Sequence, residues 1–292
     1  MSEWILGIIG GSGLYNIEGL ENKEWISIDS PWGSPSDSIL FAEINGIKLR
    51  FLPRHGRGHN LTPSDINYRA NIDVLKRAGC TDLLSLSAVG SLREDYRPGD
   101  FVVIDQFIDR TFKREKTFFG KGLVAHVSLA NPVCNRLAEL VFKAAHSTGV
   151  KVHNRGTYLV MEGPQFSTKA ESNLYRSWGC DVIGMTNMPE AKLAREAELP
   201  YASVGMVTDY DCWREGEDNV DVAAVIKILN ENALTASKTV SEFSKIVKDY
   251  GFRDDGFQGI ERNLDFAIIT PKESRDSLLV AKLDAIAGRV LN

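Results

Sequence analysis

The sequence predicts an α/β fold, a mixed central β-sheet flanked by helices. Two patterns carry that prediction. Short apolar runs of strand length alternate with longer segments whose apolar residues recur at helical spacing. Several of the runs end directly in glycine, hydroxyl or charged residues, which places a site along one edge of the sheet. The 292 residues are expected to form a single domain, with a more polar tail from 249 to 292 whose role stays open.

The first strand is expected over residues 4–9, where Gly10-Gly11-Ser12-Gly13 stops it. Glycine after a strand lets the backbone turn sharply and leaves N–H groups free for an anion, and Ser12 adds a hydroxyl. A dinucleotide site is disfavoured, because the third glycine of the G-x-G-x-x-G register is Asn16. A plain tight turn is the other reading. Residues 38–43 and 47–52 flank Asn45-Gly46 and predict a hairpin. Its second strand runs into Pro53-Arg54-His55-Gly56-Arg57-Gly58-His59. That loop suits a small anion, with Arg54 as a fork-shaped partner, or is a solvated basic loop. Zinc on His55 and His59 is weaker, because Gly56 and Gly58 oppose the helix that the spacing needs.

A helix follows over 64–78, then strands over 82–87 and 101–105. The strand at 82–87 opens into Ser87-Ala88-Val89-Gly90, again small residues with free backbone donors. Residues 109–130 show little periodicity and include His126. Further helices are expected over 132–147, 168–178, 189–197 and 220–248, with strands at 157–161 and 181–185. Phe166, on the loop before the helix at 168, either stacks on a flat ring or fills the core. A short helix over 277–291 ends the tail.

The apolar run at 201–207 predicts a buried strand, and Thr208-Asp209-Tyr210-Asp211-Cys212-Trp213 follows it. If strand geometry continues, Asp209 and Asp211 leave the same face. Two carboxyl groups there suit a ligand with adjacent donors or a proton-accepting nitrogen, as a purine has. An isolated Asp-x-Asp is otherwise a turn or a cap.

Composition narrows the classes. The net charge of −5 argues against a nucleic-acid surface. The four cysteines include no C-x-x-C pair, which points to reduced thiols in a cytoplasm. No signal peptide is expected, and no apolar run approaches the roughly 20 residues of a membrane helix.

Four stretches taken together resemble one family. They are Ile9-Gly10-Gly11-Ser12-Gly13-Leu14, Arg54-His55-Gly56-Arg57, Glu162-Gly163-Pro164 with Phe166-Ser167, and residues 208–213. The chain is similar, from about residue 8 to 248, to the S-methyl-5'-thioadenosine phosphorylases of the purine nucleoside phosphorylase superfamily. The resemblance implies a mixed sheet partly closed into a barrel, assembled as trimers or as dimers of trimers. It implies a pentosyltransferase that phosphorolyses methylthioadenosine reversibly, in methionine and purine salvage. Phosphate is then a co-substrate, with no metal or organic cofactor and no nucleic-acid or membrane partner.

The same resemblance implies a phosphate site of Ser12, Arg54, His55, Ser87, Ala88 and Thr186. Ser12 and Ser87 stand where threonine is frequent, and the hydroxyl is kept. Met185 would meet the ribose, and Phe166 and Ser167 the base and sugar. Asp209 would protonate N7, with Asp211 reading the amine and Tyr210 between them. Val222 would favour a methylthio group over a hydroxyl, and His126 would reach that pocket from a neighbouring subunit. A broader purine nucleoside phosphorylase and a nucleoside-binding protein without turnover are the alternatives.

Overall fold

The computed structural model describes residues 3–11, 17–214, 222–251, 253 and 257–291. The first half runs β1 (Ile5–Gly10), β2 (Glu21–Ile26), β3 (Ile39–Ile44), β4 (Ile47–Pro53), α1 (Tyr68–Arg77), β5 (Asp82–Ser91), β6 (Phe101–Val103) and β7 (Gln106–Asp109). The second runs α2 (Asn135–Ser147), β8 (Val152–His153), β9 (Thr157–Val160), α3 (Lys169–Ser177), β10 (Val182–Gly184), α4 (Asn187–Glu196) and β11 (Tyr201–Asp209). The long α5 (Val222–Tyr250) and the short α6 (Ser277–Lys282) and α7 (Asp284–Leu291) complete it.

One mixed sheet holds all the strands, with β5 at its centre. β5 pairs in parallel with β1 and β11, and its last residues pair antiparallel with β10. The sheet therefore branches at β5, and among the described residues no ladder joins its three ends, β2, β7 and β8. Side chains of β5 alternate between two layers, as the strand period requires. Leu84 and Leu86 pack with Leu137 and Val141 of α2 and with Val240 and Phe243 of α5. Leu83 and Val89 face the other layer, with Val74 of α1, Leu193 of α4 and Ile286 of α7.

Local chemistry sets several boundaries. Asn45 (φ 53°) and Gly46 (φ 81°) both lie in the left-handed region, the signature of a tight hairpin turn between β3 and β4. The helix expected from 64 begins at Tyr68 instead, because the Asn67 side chain accepts from the Ala70 N–H and caps it. A Thr168–Glu171 capping box starts α3. The four cysteines are free thiols.

Other expectations change as well, and the short strands β7 and β8 were not foreseen. The strand β2 was not foreseen, because Glu21–Ile26 is largely exposed and lacks alternation. The segment expected as one polar terminal helix is two helices broken at Leu283. It is also part of the core: Leu264, Leu283, Ile286 and Ala287 are buried beside α1 and α4. Arg77 of α1 pairs with Asp284, and Arg289 bonds Glu198 at 2.6 and 2.9 Å. Ile286 is 2% exposed, so Ile286→Ala is expected to cost about 2–5 kcal/mol, read from urea unfolding.

Candidate active site

A cavity of about 260 Å³ opens at the carboxyl ends of β1, β5 and β11, where open α/β sheets place their ligands. Strand pairing leaves room for it. β1 pairs with β5 only as far as Leu86, and β10 begins pairing at Gly90. On that edge neither strand pairs residues 87–89.

Hydroxyls and Arg54 gather at one end. Ser87 Oγ and Thr186 Oγ1 are 2.9 Å apart, and Ser87 Oγ lies 3.4 Å from the Tyr158 hydroxyl. Gly11 and Ala88 line the same wall. Arg54 is 1% exposed and held from several sides. Its Nε donates to Glu190 Oε2 at 2.9 Å and its Nη2 to Glu190 Oε1 at 3.3 Å. Nη2 also donates to Ser85 Oγ at 2.6 Å, and Nη1 to the Leu86 carbonyl at 3.2 Å. The Glu190 carboxylate outweighs burial and keeps the guanidinium charged.

His55 is different. Its Nδ1 lies 2.9 Å from the Leu61 carbonyl, which can only accept, so that nitrogen carries the proton. Burial pushes the ring down to about 4. At neutral pH its Nε2 is therefore an acceptor, ready for a hydroxyl rather than for a bare oxyanion. The ring stacks on His59 with centroids 4.3 Å apart.

The carboxyl pair stands at the other end. β11 ends at Asp209, its register with β5 shifts after Val207, and Asp211 sits in a turn with φ 52°. Strand alternation is thus not what brings Asp211 to Asp209. The turn does so, and both residues line the cavity. Asp209 Oδ2 accepts from Thr208 Oγ1 at 2.7 Å, and Oδ1 accepts from the Asp211 N–H at 2.8 Å. Burial pushes both carboxyls up, and the charge of Asp209 adds to the effect on Asp211. The turn is anchored by Trp213, whose Nε1 donates to the Ser91 carbonyl at 2.8 Å under the Arg176 guanidinium.

Between the ends the walls are apolar: Met161, Ile183, Met185 and Met206, with Val225 and Leu229 of α5 and the half-exposed Phe166. Ser12 and the side chain of Val222 lie outside the described residues. Ser167 and Tyr210 sit behind the wall. The Ser167 carbonyl meets Cys212 Sγ at 3.3 Å, and the Tyr210 ring packs edge-on against Trp213. His126 lies in a separate concavity with Lys116 and Glu196. Among the described residues no cluster of three or more His, Cys, Asp or Glu side chains suits a metal.

Sequence reasoning missed Glu190, Thr208 as a carboxyl partner, and the Val225/Leu229 pair, whose four-residue spacing on α5 was the available signal. It also missed Arg114, inside the segment without periodicity. Arg114 Nη1 donates to the carbonyls of Met185 and Met188, both at 2.6 Å, and Nη2 to that of Glu162 at 2.8 Å. Its Nε reaches Ser64 Oγ at 3.3 Å. One side chain thereby ties the loops after β9 and β10 to the chain before α1.

Gly90 makes the carboxyl geometry feasible. A Cβ there would lie 2.9 Å from Asp209 Oδ1 and 3.2 Å from Ile183 Cγ2. Gly90→Ala is therefore expected to cost about 1–3 kcal/mol in urea unfolding, the usual scale of overpacking.

Comparison with known proteins agrees with this architecture. The phosphorylase superfamily model matches residues 5–245. An S-methyl-5'-thioadenosine phosphorylase of Cereibacter sphaeroides is 58% identical over 287 residues, covering 98% of each chain. One of Bradyrhizobium diazoefficiens is 55% identical over 292 residues, covering 100% of this chain and 99% of its own. The crystal structure of a methylthioadenosine phosphorylase from an Antarctic soil metagenomic library superposes with a TM-score of 0.90 at 44% identity, covering 97% of this chain and 99% of that one. A variant of the adenosine/methylthioadenosine phosphorylase of Schistosoma mansoni, solved with methylthioadenosine, superposes at 0.80 with 34% identity, covering 94% and 100%. A hydroxyl-lined end, a carboxyl pair raised by burial and an apolar middle thus sit on a backbone shared with these enzymes, and the chain belongs to the phosphorylase superfamily, in its S-methyl-5'-thioadenosine phosphorylase family.

Proposed function

We propose that this protein catalyses the reversible phosphorolysis of S-methyl-5'-thioadenosine, giving adenine and 5-methylthioribose 1-phosphate. The observation that supports it most is that one cavity joins the Ser87–Thr186 hydroxyl pair to the raised carboxyls of Asp209 and Asp211. In this reading Ser12, Arg54, Ser87, Ala88 and Thr186 donate to phosphate, and His55 Nε2 accepts from a protonated phosphate oxygen. One phosphate oxygen attacks C1' as the bond from C1' to the purine nitrogen breaks. The departing purine gains negative charge, and a protonated Asp209 delivers its proton to N7. Asp211 accepts from the exocyclic amine. Phe166 and Met185 border the base and ribose, and Ser167 backs the wall there.

The 5' end of the sugar would meet the apolar face of α5 at Val222, Val225 and Leu229. His126 would close that pocket from a neighbouring subunit, in a homotrimer or a dimer of trimers. The chain acts as one unit, with the described part of the tail, residues 257–291, bracing the core. Phosphate is the one co-substrate, and no cofactor is required. No described helix is long and apolar enough to cross a membrane. A cytoplasmic place in methionine and purine salvage fits these properties.

Three measurements test the reading. Adenine release from methylthioadenosine should require phosphate; equal rates in phosphate-free buffer would make the protein a hydrolase.

Asp209→Asn keeps the shape but has no carboxylic proton, and should lower kcat by on the order of 10²-fold or more. Burial raises the Asp209 carboxyl, so the protonated form is present below that raised value and is lost as pH rises through it. Wild-type activity should fall along that limb, and the Asn variant should lack it.

Finally, a 5'-hydroxyl entering an apolar pocket leaves its water partners at roughly 1–3 kcal/mol, while a methylthio group gains roughly 1–2 kcal/mol. The kcat/KM ratio of methylthioadenosine to adenosine should be on the order of 10² to 10³. A preference for adenosine would place the protein among the broader purine nucleoside phosphorylases.

A further inference from the structure

Arg54 is the one permanently positive side chain among the described residues lining the cavity. An anion site with a single arginine would ordinarily carry a net positive charge. Here Arg54 faces Glu190 through two hydrogen bonds, and Glu190 is itself only 2% exposed. The carboxylate is held in turn by the Tyr201 hydroxyl, which donates to Oε1 at 2.8 Å. Asn187 Nδ2 donates to the Tyr201 oxygen at 2.9 Å, which fixes that donor. The nearby imidazole of His55 is neutral at neutral pH.

Arg54 has five N–H groups: Nε bonds Glu190, the two Nη2 hydrogens are shared among Glu190, Ser85 and the Ile9 carbonyl, and one Nη1 hydrogen bonds Leu86. One Nη1 hydrogen remains for an anion. The other donors at this end are hydroxyls and backbone N–H groups, which are dipoles rather than charges.

We propose that Glu190 sets the phosphate affinity of this site: it cancels the charge of Arg54, so the anion is gripped by dipoles and one guanidinium hydrogen and exchanges readily. This rests on the phosphorolysis reading above. Glu190 does not line the cavity, so it is a positioning residue acting through Arg54. Low affinity is useful in a reversible reaction, because a phosphate or sugar phosphate held by an uncompensated buried cation would leave slowly.

The test compares wild type with Glu190→Gln, which keeps an acceptor but removes the charge. Inorganic phosphate is titrated by calorimetry without nucleoside, and KM is measured separately for phosphate and for methylthioadenosine. The phosphate Kd and KM should fall about tenfold, as expected when a neutralised donor becomes a charged one, with the nucleoside KM within about twofold of wild type. A phosphate KM that stays level or rises overturns the inference.

If the Gln variant does not fold, Arg54→Met combined with Glu190→Met removes both charges, a replacement that buried pairs commonly tolerate. Cancellation predicts that its phosphate KM rises by no more than about tenfold, the loss of one donor. A larger rise would mean that Arg54 acts as a free cation, and overturns the inference. A wild type whose adenine release ignores phosphate overturns the proposed function and this inference together. A phosphate-dependent wild type with an unaltered phosphate KM in Glu190→Gln overturns the inference alone.

Discussion

The pairing of β5 is the constraint on which the rest depends. A strand has two hydrogen-bonding edges, and β5 meets β11 along one and, in succession, β1 and β10 along the other. The handover leaves the backbone of residues 87–89 without a strand partner on that second edge. Unpaired peptide groups inside a fold need other partners. Here the Ser87, Tyr158 and Thr186 hydroxyls crowd around the gap, and the cavity opens beside it. The site is thus a consequence of sheet topology, furnished by whatever side chains border the handover.

Much of this was legible in the sequence because it follows from local rules. Apolar runs ending in Gly10 and Thr208 announced strands that stop at one edge, whereas the run ending in Ser87 belongs to a strand that continues to Ser91. The Asn45-Gly46 turn announced its hairpin, and the motif around Asp209 its carboxyl pair. What stayed hidden depends on distance along the chain. Glu190 meets Arg54 across 136 positions, from the first turn of a helix whose pattern gives it no distinction. The partnership of Asp209 and Asp211 was foreseen, but its cause was not: a left-handed turn is invisible to a rule about strand faces. The tail looked polar because its buried residues are spread among charged ones that bind Arg77 and Glu198.

Polar groups are organised here by saturation rather than by isolated pairs. Around Arg54, the Glu190 carboxylate, the Tyr201 hydroxyl and the Asn187 amide satisfy one another in sequence. Such a network is costly to disturb at any point, because each member left alone is a buried group without water. It also fixes the orientation of the groups that face the cavity, which a flexible solvated arginine would not do.

The wall formed by the segments after β9 and β10 is joined by the Met161 N–H bond to the Gly184 carbonyl and by the start of α4, and the guanidinium of Arg114 adds a further tie. Because a single side chain closes bonds to Glu162, Met185 and Met188, these segments share one fastening. Loss of that one guanidinium would therefore loosen the ribose side of the cavity and the loop leading to Phe166 together.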